Sequence, residues 1–163
     1  MKRAISLTVV AIMLISLFAA CSTDSQDEAL VTQYLQEFYT IDKPDEAMND
    51  LAIIDEKGEP EAYVAFAKDK FLKYFTNDGF FVFLVSPDWM ALYTKAAVHS
   101  YTIEPTKISV EKGDKNNYKF SLVVTIKDEQ NNIVEEIPQN GELTLKSGKI
   151  DHFTITNKED ALL

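Results

Sequence analysis

Two histidines, one cysteine and a few acids and aromatics at patterned positions are the chemical resources of this 163-residue chain. His99 has the most promise. Alternation through the following residues puts His99, Tyr101 and Ile103 on one face of a strand. A histidine on an apolar face is a candidate base inside a cavity, because its ordinary titration range spans working pH. The plainer expectation is a hydrogen-bonded core or rim histidine. Asp151 shares a strand face with Phe153 and Ile155 and is a candidate carboxylate at a cavity mouth, or simply a solvated strand-end acid. His152 stands far from His99 in the chain, and neither has a cysteine or carboxylate at metal-ligand spacing. No GxSxG elbow, phosphate loop or CxxC pair is present. The sequence therefore implies no metal and no cofactor.

Aromatic residues are the other candidate site material. Tyr34, Phe38, Tyr39, Phe80, Phe81, Phe83, Trp89 and Tyr93 can line a ligand pocket, although such residues more often form plain core. Trp89, in the segment Ser86 to Tyr93, is the candidate pocket lid. The possible pocket set is thus His99, Tyr101, Trp89, Tyr34 and Asp151, and no residue carries a specific catalytic pattern.

These residues need a scaffold, and its central element is Tyr118 to Lys127. Tyr118, Phe120, Leu122, Val124 and Ile126 alternate with Lys119, Ser121, Thr125 and Lys127, as expected of a strand with one buried and one wet face. The strands expected around it are Val98 to Glu104, Lys107 to Lys112, Ile133 to Ile137, Glu142 to Leu145 and Ile150 to Thr156. Pro105 is expected at a bend or edge, and Pro138 to Gly141 is expected to turn. Short loops at Gly113 to Asn117, Asp128 to Asn132 and Ser147-Gly148 make antiparallel neighbours the default. Helices precede the sheet. Leu30, Val31, Tyr34, Leu35, Phe38 and Tyr39 recur at helical spacing, with Asp27 and Glu28 at the positive end of the helix dipole. Pro44 opens a short helix burying Met48, Leu51 and Ala52, and Pro60 opens a third with Val64, Ala67, Phe71 and Phe75 inward. Asn77-Asp78-Gly79 reads as its stop. Phe80 to Val85 is a short apolar run that its length and aromatic content assign to a strand or extended segment.

The N-terminus carries an address. Lys2 and Arg3 precede an uncharged run from Ala4 to Ala20, in the layout of a secretory leader. Leu17 to Cys21 (LFAAC) resembles the lipobox of bacterial lipoproteins, with Phe18 where that family usually has Leu. The resemblance implies cleavage before Cys21 and lipid attachment to it. Cys21 is also the single cysteine, which excludes an intrachain disulfide. Loss of residues 1–20, which hold Lys2 and Arg3 and no acid, takes the net charge from −10 to −12. Such a chain repels nucleic acid and anionic headgroups, so the membrane link is expected from the lipid alone.

Helices followed by antiparallel strands make an α+β pattern. Its element order, the tyrosine-rich end of the first helix (Tyr34, Phe38, Tyr39) and the Gly148-Lys149-Ile150 segment resemble the NTF2-like (SnoaL-like) superfamily. The resemblance implies a cone, with a curved sheet wrapped around N-terminal helices. The expected organisation is a leader over 1–20, a lipidated Cys21 and tether over 21–26, the α+β domain over 27–157 and a tail over 158–163. The functional expectation is a lipoprotein anchored at the extracytoplasmic face of a cell membrane. Its domain binds an unknown small molecule or envelope protein, without catalysis. A small hydrolase or isomerase using the cone as its active site, with His99 or Asp151 as base, is the alternative.

Overall fold

The computed structural model describes residues 24–44, 60–86 and 88–156. The leader, Cys21, the short helix after Pro44 and the tail lie outside the described residues. Helix α1 covers residues 24–38 and α2 covers Pro60–Phe71, followed by a 3-10 turn at Leu72–Tyr74. Helix α3 is Asn77–Leu84 and α4 is Asp88–His99. Four strands follow: β1 Thr102–Lys112, β2 Asn117–Lys127, β3 Ile133–Lys146 and β4 Lys149–Ile155. They form an antiparallel meander in the order β1-β2-β3-β4.

The chain is an α+β protein in which helices precede the sheet and α1 packs on its inner face. Along α1, Val31, Tyr34, Leu35 and Phe38 are buried at helical spacing. On β2, all five alternating apolar residues from Tyr118 to Ile126 are buried. Helix and sheet meet in one core: the Tyr34 and Phe38 rings lie 5.3 and 5.4 Å from the Phe153 ring of β4. The Tyr118 hydroxyl donates to Asp27 at 3.2 Å, and Asp24 pairs with Lys112, so the start of α1 is fixed at the β1–β2 turn. Register shifts occur in all three strand pairings, and such bulges curve the sheet around the helix.

The turns at 113–117, 128–132 and 147–148 fall where the sequence places them. Asp128 accepts from the backbone N–H groups of Gln130 and Asn132, at 3.0 and 2.8 Å, which closes the β2–β3 loop. Ser147 and Gly148 take φ of 55° and 70°, the paired left-handed geometry of a two-residue hairpin.

Six expectations need correction. Phe80 to Leu84 is helical, with Val85 as its C-cap, not extended. The Thr76 hydroxyl accepts from the Gly79 N–H at 3.0 Å, so Asn77-Asp78-Gly79 begins α3 rather than ending α2. Residues Val98 and His99 belong to the last turn of α4, and β1 begins only at Thr102. Pro105 does not divide two strands. It sits within β1, an edge strand where a missing N–H costs no ladder bond, and the irregularity comes later, at Lys107 (φ 53°). Likewise Pro138 lies inside β3, in the half that β4 does not reach, since β4 pairs only from Gly141 onward. Thr125 also departs from its expected wet face. It is buried, with its hydroxyl 3.2 Å from that of Thr106.

Candidate functional site

Of the candidate pocket residues, His99 and Tyr101 meet, while Tyr34 and Asp151 have other neighbours. His99 ends α4, exposed to solvent, with its ring stacked on half-buried Tyr101 at 5.1 Å. It therefore faces away from the interior that a cavity base would need. Only the backbone of Trp89 falls within the described residues. Tyr34 is at the opposite extreme, fully buried in mid-helix and ringed by Phe38, Tyr74, Phe75 and Phe153. Burial, and the neighbouring Tyr39, push its hydroxyl well above the ordinary phenol range. That hydroxyl has no hydrogen-bond partner among the described residues. Asp151 has a structural task. It accepts from the Thr76 hydroxyl at 2.7 Å, and the same hydroxyl caps α3.

Among the described residues, aromatic rings fill the space between α1, α3 and β4. Phe38 alone lies within ring-contact distance of Tyr34, Tyr39, Phe71, Phe83 and Phe153. Phe75 adds edge and tilted contacts to Tyr34, Phe80 and Phe83. Between α1, α3 and β4 there remains a cavity of about 40 Å³, lined by Phe38, Phe75, Gly79, Val82, Phe83, Ser86 and Phe153. That is room for one or two waters, not for a substrate of any size.

One inward-facing group escaped the sequence reading. Gln139 is 1% exposed, and neither polar atom of its side chain has a partner among the described residues. Such a group is costly to bury, and it is a place where a water or ligand is owed. Reading residues 138–141 as a turn concealed it. The signal was present in the alternation Ile137, Gln139, Gly141, Leu143, Leu145, which continues through Pro138 with a glutamine at an inward position.

A second concavity lies outside the core, on the outward face of α1. This open groove of about 730 Å³ is lined by Gln33, Gln36, Glu37, Asp42 and Lys70, among others. Burial pushes the Glu37 carboxyl up, but hydrogen bonds from Lys73 and Tyr74, with the charges of Lys73 and Lys70, outweigh it and hold the group below its usual range. Burial and Glu37 together raise the Tyr74 hydroxyl. Lys70 in turn donates to the Tyr93 hydroxyl. These are groups satisfied by one another, which suits a polar surface rather than a poised acid or base. Among the described residues, no three His, Cys, Asp or Glu side chains gather as a metal site. No described helix is long and apolar enough to cross a membrane.

No protein-family model and no curated protein matches the chain. Solved structures with a similar arrangement include a candidate polyketide cyclase from Xanthomonas campestris pv. campestris. It is 15% identical, with 82% of this chain and 95% of that one covered and a TM-score of 0.42. Another from Pseudomonas putida KT2440 is 17% identical, covering 72% of this chain and 94% of that one, with a TM-score of 0.35. A third, from Sinorhizobium meliloti, is 16% identical over 59% of this chain and 87% of that one, also with a TM-score of 0.35. At these scores the likeness fixes neither a reaction nor a ligand.

Proposed function

We propose that this chain is a membrane-anchored extracytoplasmic lipoprotein whose folded part is a non-catalytic, NTF2-like binding or interaction domain. The observation that carries the non-catalytic reading is the interior. Where a cone-shaped enzyme needs space and a titratable group, the described residues between α1, α3 and β4 hold interlocked rings around a cavity of about 40 Å³. The two candidate bases also have other surroundings, His99 on the helix surface and Asp151 on the Thr76 cap. The anchor reading rests on residues 2–21 of the sequence.

Intact mass of the membrane-extracted chain is expected to lack residues 1–20 and to carry a diacylglyceryl group on Cys21. Cys21→Ser is expected to leave the chain unprocessed or released. A Cys21→Ser protein that is cleaved and sediments with membranes as the wild type does would overturn the anchor.

A second reading is favoured by one observation, the orphaned amide of Gln139. A small ligand offering both a donor and an acceptor would satisfy it, and the domain would then bind inside the sheet. Gln139→Leu separates the cases. In an empty protein it removes an unsatisfied group and raises stability by about 1–3 kcal/mol. In a ligand-holding one, native mass spectrometry of the purified full chain shows an adduct that the variant loses.

A further inference from the structure

Strand β3 is 14 residues long and β4 only 7, so β4 covers one half of it. The pairing ends at Gly141, with one further bond from the Thr156 N–H to the Asn140 carbonyl at 2.8 Å. Successive residues of a strand turn their N–H and C=O to opposite sides. On β3 the Leu145 N–H turns toward β2 and bonds the Asn116 carbonyl, while the Asn140 carbonyl turns toward β4. Pairing with β2 is regular from Thr144 back to Glu135, so the alternation holds through Glu136. Glu136 therefore directs its N–H and C=O away from β2, and no described strand lies on that side of it.

The side chains around this open edge share one charge. From Asp128 to Leu145 there are five acids, Asp128, Glu129, Glu135, Glu136 and Glu142, and no lysine, arginine or histidine. The neighbouring lysines are engaged, Lys95 with Glu135 at 2.8 Å and Lys127 with Glu104 at 2.6 Å. Asp42 and Lys43 follow Ile41, which bridges to β1, and offset each other in charge. The other described lysines of the sheet stand on β1, its far edge, or toward the opposite end. Among the described residues, Asp128, Glu129 and Glu136 are left without a lysine partner. Beside them Ile133 and Val134 are 60% and 48% exposed.

We propose that the open half of β3 takes an added strand from a cationic partner, an extended segment in which basic residues alternate with apolar ones. The backbone of that segment bonds the Glu136 N–H and C=O. Its apolar side chains cover Ile133 and Val134, and its basic ones meet Glu129 and Glu136. A second copy of this chain does not fit, because edge-to-edge pairing sets Glu135 and Glu136 against the same acids of the other copy. Nucleic acid and anionic lipid are repelled for the same reason. Pro138 has no N–H and confines the added strand to the stretch before it. Acids and a proline guard an edge against aggregation, and here they exclude like and acidic partners while leaving a basic one. The proposal rests on the reading of the fold as an interaction domain and names the chemistry of its partner.

The test uses the purified full chain and a short dye-labelled peptide alternating lysine with valine. One control peptide has glutamate in place of lysine. The other has proline in place of valine, which keeps the charge but cannot pair as a strand. Fluorescence anisotropy is expected to show binding of the lysine–valine peptide that weakens as salt is raised, with both controls at least about tenfold weaker. Glu136→Pro removes the outward N–H and no bond to β2, and is expected to weaken binding about tenfold. Glu136→Gln keeps the N–H and should weaken it less. Urea unfolding checks that both variants fold. Should Glu136→Pro unfold, hydrogen exchange at the wild-type Glu136 amide decides, and saturating peptide is expected to slow it about tenfold or more. A lysine–valine peptide that does not bind overturns the proposal. Equal binding of the proline control, or exchange at Glu136 that the peptide leaves unchanged, does so too. So does a Glu136 amide already protected in the free protein. Loss of that protection on deleting residues 157–163 assigns the edge to the chain's own end, and dependence on protein concentration assigns it to a second copy. The interaction-domain reading fails separately: a Gln139-dependent adduct in native mass spectrometry places binding inside the sheet, whereas failure at Glu136 alone leaves that reading standing.

Discussion

Replacing Gly79 by alanine sets two effects of opposite sign against each other. In an exposed helix the change stabilises by about 1 kcal/mol, because glycine loses the most backbone entropy on ordering. Here α3 rests directly on β4. A Cβ at position 79 would lie 2.6 Å from the Ile150 carbonyl oxygen and 2.8 Å from that of Asp151. Ordinary contact begins near 3.4 Å, so the helix must back away by about 0.8 Å, and the obstacle is backbone that cannot rotate aside. A gap of that size forfeits roughly a quarter to a half of each dispersion contact. It also stretches the bond from Thr76 N–H to the Ile150 carbonyl and loosens Phe80 and Phe83 in the core. Overpacking of this kind costs about 1–3 kcal/mol, and loss of the hydrogen bond about 1 more. The net expectation is a destabilisation of about 1–3 kcal/mol after the helix-propensity gain. Urea unfolding measures it directly, and a thermal melt should fall by roughly 2–4 °C per kcal/mol at this domain size. Asn77→Ala, at an exposed neighbouring position, is expected to change stability by less than about 0.5 kcal/mol. If Gly79→Ala is as stable as the wild type or more so, α3 does not sit on the β4 backbone as described.

Leu122→Ala is expected to cost about 2–4 kcal/mol in urea unfolding and Ser121→Ala almost nothing, while Thr125→Ala, which strips a buried hydroxyl from Thr106, should fall between them; equal losses at 121 and 122 would refute a one-sided core. Burial, with the charge and hydrogen bond of Asp27, pushes the Tyr118 hydroxyl up to about 12. A raised folded pKa stabilises below the unfolded value near 10 and is lost as pH rises through about 12, so Tyr118→Phe should flatten the alkaline limb of a stability-versus-pH curve over that window. His99→Gln, at an exposed helix end, is expected to shift stability by less than about 0.5 kcal/mol, and a melting curve showing a larger loss would mean that the ring carries more than its stacking on Tyr101.

Much of the scaffold was legible because simple patterns coincide with what each element buries. Alternation through β2 reports its inner face residue by residue, and the stripe from Val31 to Phe38 does the same for α1. Paired turn residues at Ser147-Gly148 fix the hairpin by their conformational freedom. The misreadings share a physical cause, which is a periodic signal overridden by context. Phe80 to Val85 shows no helical period because the outward face of α3, Phe81 and Val82, is apolar too. The Thr76 cap was visible in type, but its role depends on Asp151, distant in the chain. His99, Tyr101 and Ile103 alternate like a strand, yet Ala96 and Ala97 continue the buried face of α4 and the Ala96 carbonyl takes the Tyr101 N–H to end it. Prolines 105 and 138 looked like breaks because position in a sheet, edge or centre, is not written in the local sequence. The candidate site was the least legible part, since nothing local distinguishes an inward tyrosine packed among rings from one lining a void.

The contact between Tyr34 and Phe153 bears on how the chain can be made. The aromatic stripe of α1 is the first part of the domain to be synthesised and, if the leader acts as expected, the first to cross a membrane. Its partners on β4 are nearly the last. Neighbouring strands of the meander can pair as soon as each hairpin is complete, because their contacts are close in sequence. Helix α1 finds part of its cover earlier, in Phe71, Tyr74, Phe75 and Phe83, but the side of Tyr34 and Phe38 that meets the sheet stays open until Phe153 of the last strand arrives. The domain therefore closes in one late step that joins its two ends. Truncation from the C-terminus, even by the length of β4 alone, should leave a chain that aggregates through its first helix.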